Sequence, residues 1–152
     1  VKKNIQPTLA QLIEPHRICR KKRAIDWRDA VRIGGSLLLA DGCITEQYIE
    51  AMIENIDNLG DYIILCPGVA MPHAKPGDGG IKTGFSLLML EEALSFGKGT
   101  GKKVQVLITL AAADYTTHTN ALKDLMRLLE QPDFVPSLLA AKEETKIMAL
   151  FS

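Results

Sequence analysis

The sequence predicts an α/β domain in which a mixed sheet of four or five strands lies between helices, in three layers. Three observations predict it. Residues 104–112, VQVLITLAA, form a near-continuous apolar run, as in a central strand covered on both faces. Apolar residues recur at helical spacing on both sides of that run, from Trp27 and Ile49 before it and from Leu122 after it. Shorter apolar runs bounded by glycine and proline alternate with these helical stretches, so strands and helices are mixed along the chain.

Taken in order, residues 8–14 are expected to form a short helix capped by Thr8, with Leu9, Leu12 and Ile13 on one face and Pro15 as its stop. Residues 16–25, HRICRKKRAI, gather Arg17, Arg20, Lys21, Lys22 and Arg23. No aromatic residue interleaves with these charges. The stretch therefore reads as a solvated edge strand whose lysines oppose aggregation, ahead of a basic patch for phosphate or an acidic partner. His16 reads as a surface residue.

Asp26 opens a helix in which Trp27, Ala30, Val31, Gly34, Leu37 and Leu38 keep the helical period, and Gly42 terminates it. Gly34-Gly35 lowers helix propensity, so close packing is expected there. Thr45 caps a second helix, with Ile44 and Ile49 placed as a hydrophobic staple. Ile49, Met52, Ile53 and Ile56 form its stripe, and Gly60 ends it.

Residues 63–66 read as a buried strand, broken by the turn dipeptide Pro67-Gly68. Val69, Ala70 and Met71 form a second apolar run that Pro72 stops, since proline has no N–H for a ladder. His73 follows, just before the loop Pro76-Gly77-Asp78-Gly79-Gly80. A histidine thus sits where a strand gives way to a glycine-rich loop, a usual place for reactive groups. Pro72 also restricts Met71 to extended backbone, which stiffens the approach to His73.

Residues 83–90, TGFSLLML, read as a strand, and residues 96–103, FGKGTGKK, as a polar hairpin-like loop. The G-x-G-x-G in that loop has no strand before it and no apolar helix after it, so it is not a dinucleotide or P-loop motif. After the run at 104–112, Asp114, Thr116 and Thr117 are candidate caps of a helix that buries Leu122, Leu125 and Leu129 and stops at Pro132. His118 falls in or near its first turn. Two short helices, near 134–141 and 143–151, complete the chain. One domain over residues 1–152 is expected, without repeats or linkers.

Composition excludes several classes. Eighteen basic residues balance eighteen acidic ones, which argues against a nucleic-acid or membrane-surface binder. No apolar run approaches about 18 residues and no signal-peptide pattern is seen, so a cytoplasmic protein is expected. The three cysteines, Cys19, Cys43 and Cys66, have no CxxC spacing and read as reduced thiols. Cys66 reads as an inert core residue.

The chemistry rests on His73 and His118, two of only three histidines. If their strands are neighbours, both lie at the sheet edge where open α/β sheets bind ligands. A neutral imidazole is a nucleophile near neutral pH, since its ordinary pKa is about 6.5. A second imidazole can donate a hydrogen bond to a transferring phosphoryl group, and a helix N-terminus suits phosphate. Metal binding by the pair would need a third ligand such as Asp78 or Asp114.

PGVAMPHAKP, followed by KTGFSL, VLITLAA and the THTNAL helix start, resembles the IIA component of the sugar phosphotransferase system, in the mannitol–fructose-type superfamily. The resemblance runs from about Leu9 onward. The segments WRDAVRIGGSLL and DYIILCPGVAMPHAKP are most similar to the L-ascorbate-specific branch. Mannitol-type members carry an arginine in the helix before the signature, whereas ENIDNLG here has none.

The resemblance implies the three-layer IIA fold and a phosphotransferase. The histidine phosphocarrier protein would phosphorylate His73 on Nε2, and His73 would pass the group to a cysteine of a IIB component. The membrane IIC component would then move the sugar. By matching position His118 would hydrogen-bond the phosphoryl group, with Thr83 and then Lys75 as weaker candidates. Protein partners would dock around His73, where Met71 and the glycine loop contribute. No metal, organic cofactor or nucleic acid is implied. Two readings stay beside it: a regulatory IIA-like domain whose phosphorylation is a signal, and a metal-dependent hydrolase using the same histidines.

Overall fold

The computed structural model describes residues 9–96 and 102–152. Five strands, β1 (Ile18–Lys21), β2 (Ile64–Cys66), β3 (Gly68–Ala70), β4 (Gly84–Ser95) and β5 (Lys103–Ala111), form one sheet in the order β1-β4-β5-β3-β2. The sheet is mixed. β1 runs parallel to β4 and β3 parallel to β5, while β4–β5 and β2–β3 are antiparallel. Six helices complete it: α1 (Leu9–Ile13), α2 (Trp27–Ala40), α3 (Glu46–Leu59), α4 (Tyr115–Leu129), α5 (Phe134–Ala140) and α6 (Glu144–Leu150).

Two apolar cores make the three layers. Side chains alternate across a strand, so successive residues of β4 and β5 feed opposite faces. Leu88, Leu90 and Leu107 pack with α2 and α3, against Val31, Leu38, Ile49 and Met52. Leu87, Met89, Val106 and Ile108 pack on the other side with α1, α4, α5 and α6, against Ile13, Leu125, Leu138 and Ile147. The residues at the middle of β5 are fully buried, as expected of a strand covered on both faces.

The local signals act as read at most element ends. Asp26 caps α2 by accepting from Asp29 N–H at 2.8 Å. Gly42 and Gly60 follow α2 and α3 with φ of 70° and 75°, where L side chains are strained. A Cβ on Gly34 would stand 2.6 Å from Thr109 Oγ1, and one on Gly35 would stand 2.8 Å from Ile49 Cγ1. The glycine pair therefore lets α2 lie close on β5 and α3.

Three expectations need correction. Residues 64–66 are not a buried strand but a half-buried one at the sheet edge, joined to β3 by a hairpin at Pro67-Gly68 with Gly68 at φ 87°. Cys66 is accordingly half-buried rather than a core residue. Arg17 departs from the solvated basic edge that β1 otherwise forms. It is 5% exposed, and its guanidinium pairs with Glu14 at 3.0 Å and with Asp41 at 3.1 Å, which offsets the cost of burying its charge. The Thr8 cap and most of the 96–103 loop lie outside the described residues.

Topology sets the site. β3 and β5 are parallel, so their C-terminal ends reach the same edge of the sheet, and Gly84 at the start of β4 pairs with Ala111 at that edge. His73 follows β3, and His118 lies in the first turn of the helix that follows β5.

Candidate functional site

The backbone carrying His73 is fixed from two sides. Met71 N–H donates to Ile63 O at 2.8 Å, and Leu110 N–H donates to Pro72 O at 3.0 Å, extending the β3–β5 pairing past Ala70. Beyond His73, Tyr48 takes over. Its hydroxyl accepts from Ala74 N–H at 3.1 Å and donates to Leu110 O at 2.7 Å. Tyr48 is wholly buried in α3, and burial pushes its phenol up to about 12. The hydroxyl thus stays protonated and ties the residue after His73 to the strand beside it.

The half-buried His73 ring meets the carbonyl of Met71, with Nδ1 at 2.8 Å from its oxygen. A carbonyl oxygen can only accept, so the neutral ring carries its proton on Nδ1. Nε2 then holds the lone pair and is the nucleophilic atom. This geometry selects the tautomer without any second charged group.

His118 stands beside it, with ring centroids 5.6 Å apart and planes at 61°. Its Nδ1 is buried and has no hydrogen-bond partner among the described residues. Burial first, and then the nearby His73, pushes the His118 pKa below its ordinary value. A neutral His118 near pH 7 keeps one N–H donor, and it avoids two cationic rings in contact.

One expected donor set is already occupied. Asp114 caps α4, its carboxylate accepting from Thr117 N–H at 2.8 Å, and that hydrogen bond holds its carboxyl below the usual range. The chain's own carboxylate meets this N–H of the helix start, so it is not a free phosphate cradle. The imidazole of His118 is a further donor at this helix start.

Thr83 lines a cleft with Arg17, Asp41, Cys43 and Lys82. Lys75 is exposed and precedes a short 3₁₀ turn at Pro76–Asp78. Among the described residues, the three close metal-ligand atoms belong to Glu14, His16 and Asp41, a group that holds neither His73 nor His118.

Two tyrosines escaped the sequence reading. Tyr48 left a signal: it is adjacent to Ile49 and four residues before Met52, hence on the buried stripe, and a buried tyrosine hydroxyl needs a partner. Tyr62 left none, because its role is a tertiary contact. Its ring meets His73 edge-on, with centroids 5.8 Å apart and planes at 63°. The side chain of Asn55 hydrogen-bonds its hydroxyl, and Asn55 belongs to the ENIDNLG stretch that lacks an arginine.

Comparison with known proteins gives the same frame. The family profile described as "Phosphoenolpyruvate-dependent sugar phosphotransferase system, EIIA 2" matches residues 11–152. The mannitol-specific cryptic phosphotransferase enzyme IIA component of Escherichia coli (strain K12) is 40% identical over 129 residues, covering 85% of this chain and 87% of that protein. A solution structure of the Escherichia coli mannitol-specific cryptic enzyme IIA superposes with a TM-score of 0.88 at 36% identity, covering 96% of this chain and 99% of that one. The ascorbate-specific EIIA component of the same strain is 34% identical over 140 residues, 91% of each chain. At 20% identity, the enzyme IIA in the Escherichia coli complex of mannitol enzyme IIA with phosphorylated enzyme IIB shares the fold, with a TM-score of 0.80 over 91% of this chain and 96% of that one.

Proposed function

The chain belongs to the EIIA 2 family of the phosphoenolpyruvate-dependent sugar phosphotransferase system and is a phosphotransferase; from that premise we propose that His73 is its phosphoryl carrier. The observation that carries this reading is the Met71 carbonyl at 2.8 Å from His73 Nδ1, which frees Nε2 beside His118.

The reaction balances as two in-line transfers. The His73 Nε2 lone pair attacks the phosphorus of a phosphohistidine on the histidine phosphocarrier protein. The P–N bond of the donor breaks and its imidazole keeps the electron pair. A cysteine thiolate of the IIB component then attacks the same phosphorus, and the His73 P–N bond breaks. His118 donates a hydrogen bond to the phosphoryl oxygens during transfer to the IIB thiolate, where charge is spread over them.

Support for the partner surface comes from exposed apolar side chains flanking the pair in sequence or space. Tyr62 touches His73, Leu59 ends α3, Ile81 precedes β4 and Tyr115 begins α4, and all four are exposed. Residues 1–152 act as one domain in this reading. No helix among the described residues is long and apolar enough to cross a membrane. In this reading the carrier works in the cytoplasm and reaches the membrane IIC component only through IIB.

For the sugar we propose L-ascorbate. The ascorbate-specific relative and the segments WRDAVRIGGSLL and DYIILCPGVAMPHAKP support it. The test is transfer of labelled phosphate from this protein to purified IIB components. Faster transfer to a cysteine of an ascorbate-type IIB is expected. Preferential transfer to a mannitol-type IIB would overturn the sugar assignment, and transfer to neither would favour a regulatory role.

A further inference from the structure

We propose that Tyr62 is a positioning residue of the phosphoryl site, its ring holding the His73 imidazole in the orientation that presents Nε2. The inference rests on the carrier reading above. His73 is held at three places: the Met71 carbonyl takes Nδ1 at 2.8 Å, His118 stands edge-on at 5.6 Å, and Tyr62 stands edge-on at 5.8 Å.

Tyr62 is itself well placed to hold a ring still. It lies in a short 3₁₀ turn at Asp61–Ile63 that follows Gly60 directly. Its neighbour Ile63 is wholly buried, and the Ile63 carbonyl accepts from Met71 N–H at 2.8 Å. The Met71 carbonyl in turn accepts from His73. A closed circuit therefore runs from Tyr62 through Ile63 and Met71 to His73 and back through the ring contact. Asn55 anchors the hydroxyl end. Tyr62 is 41% exposed, so removing its ring empties no core.

Loss of that edge frees the imidazole to turn about its Cβ–Cγ bond. The Nδ1–H bond to Met71 then opens, both neutral tautomers are populated, and Nε2 carries the lone pair for only part of the time. An exposed tyrosine beside a reactive histidine has a second reading, as a contact for the incoming protein partner. The two differ in what a small phosphoryl donor sees, because phosphoramidate needs no docking surface.

The test uses the full chain with ¹⁵N-labelled histidine, as wild type, Tyr62→Phe and Tyr62→Ala. Tyr62→Leu replaces the alanine variant if the latter fails to fold. The ¹⁵N shifts of His73 report its tautomer. Phosphorylation rates at His73 are measured with the phosphorylated histidine phosphocarrier protein and with phosphoramidate. Wild type and Tyr62→Phe should show a single Nδ1–H tautomer. Tyr62→Ala should show mixed tautomers and a rate lower by roughly tenfold or more with both donors, as expected for a misplaced reacting group. A Tyr62→Ala protein with the wild-type ¹⁵N pattern overturns the proposal, as does a loss confined to the protein donor. If wild type takes no phosphoryl group from the carrier protein, the carrier reading fails, and the ¹⁵N pattern still decides the role of Tyr62.

Discussion

The Met71 carbonyl lies 2.8 Å from His73 Nδ1, one residue beyond the proline that separates them. Backbone, rather than a second ionisable side chain, thus fixes the proton on the His73 ring. Phosphorylation should therefore be confined to Nε2. Phosphorus–nitrogen coupling in ¹⁵N-histidine protein will show this, and a Nδ1 phosphoramidate would contradict it.

His118→Ala should still accept a phosphoryl group but pass it on slowly, because the nucleophile stays and a hydrogen-bond donor goes. Removing one such donor costs on the order of a hundredfold in rate where it serves the transition state. Single-turnover transfer to a IIB component measures it, and wild-type transfer by the variant would refute the role.

The lowered pKa of His118 has a stability consequence. The folded state binds the His118 proton less readily than the unfolded chain, whose histidine titrates near 6.5. Above that value both states are neutral and the group has no effect. As pH falls below it, the unfolded state gains a proton that the folded state resists, so stability is lost down to the folded pKa. Thermal unfolding from pH 7.5 to 5 should show this loss, and His118→Asn should reduce it.

Tyr48→Phe removes one oxygen from a fully buried ring and leaves the Ala74 N–H without its partner. The expected cost is about 1–3 kcal/mol. It is read from urea midpoints, and an unchanged midpoint would show that the network is dispensable.

Gly34→Ala should destabilise despite the better helix propensity of alanine. The gain is about 1 kcal/mol. The new Cβ would meet Thr109 Oγ1 at 2.6 Å, on the central strand of the sheet, and overpacking there costs about 1–3 kcal/mol. A stabilised variant would mean that α2 can lift off β5 freely.

Local signals made much of this legible. Asp26 caps as read, Asp114 is one of the three caps offered, Gly34-Gly35 marks close packing, and the Pro72-His73 pair after an apolar run marks the proposed site. What was hidden depends on partners far along the chain. Arg17 looked like one more edge charge until Asp41 came beside it, and Tyr62 looked unremarkable until the β2–β3 hairpin brought His73 against its ring. At the start of α4 the sequence offered Asp114, Thr116 and Thr117 as caps, and only the folded backbone shows that Asp114 is the one that accepts from Thr117 N–H.

The central claim is that His73 carries the phosphoryl group, and intact mass tests it most directly. The protein is incubated with phosphoenolpyruvate, enzyme I and the histidine phosphocarrier protein, beside a His73→Ala control. The account predicts a gain of one phosphoryl group that is lost in acid, kept in base and absent from the control. No gain with active upstream proteins, or an equal gain by His73→Ala, would contradict it.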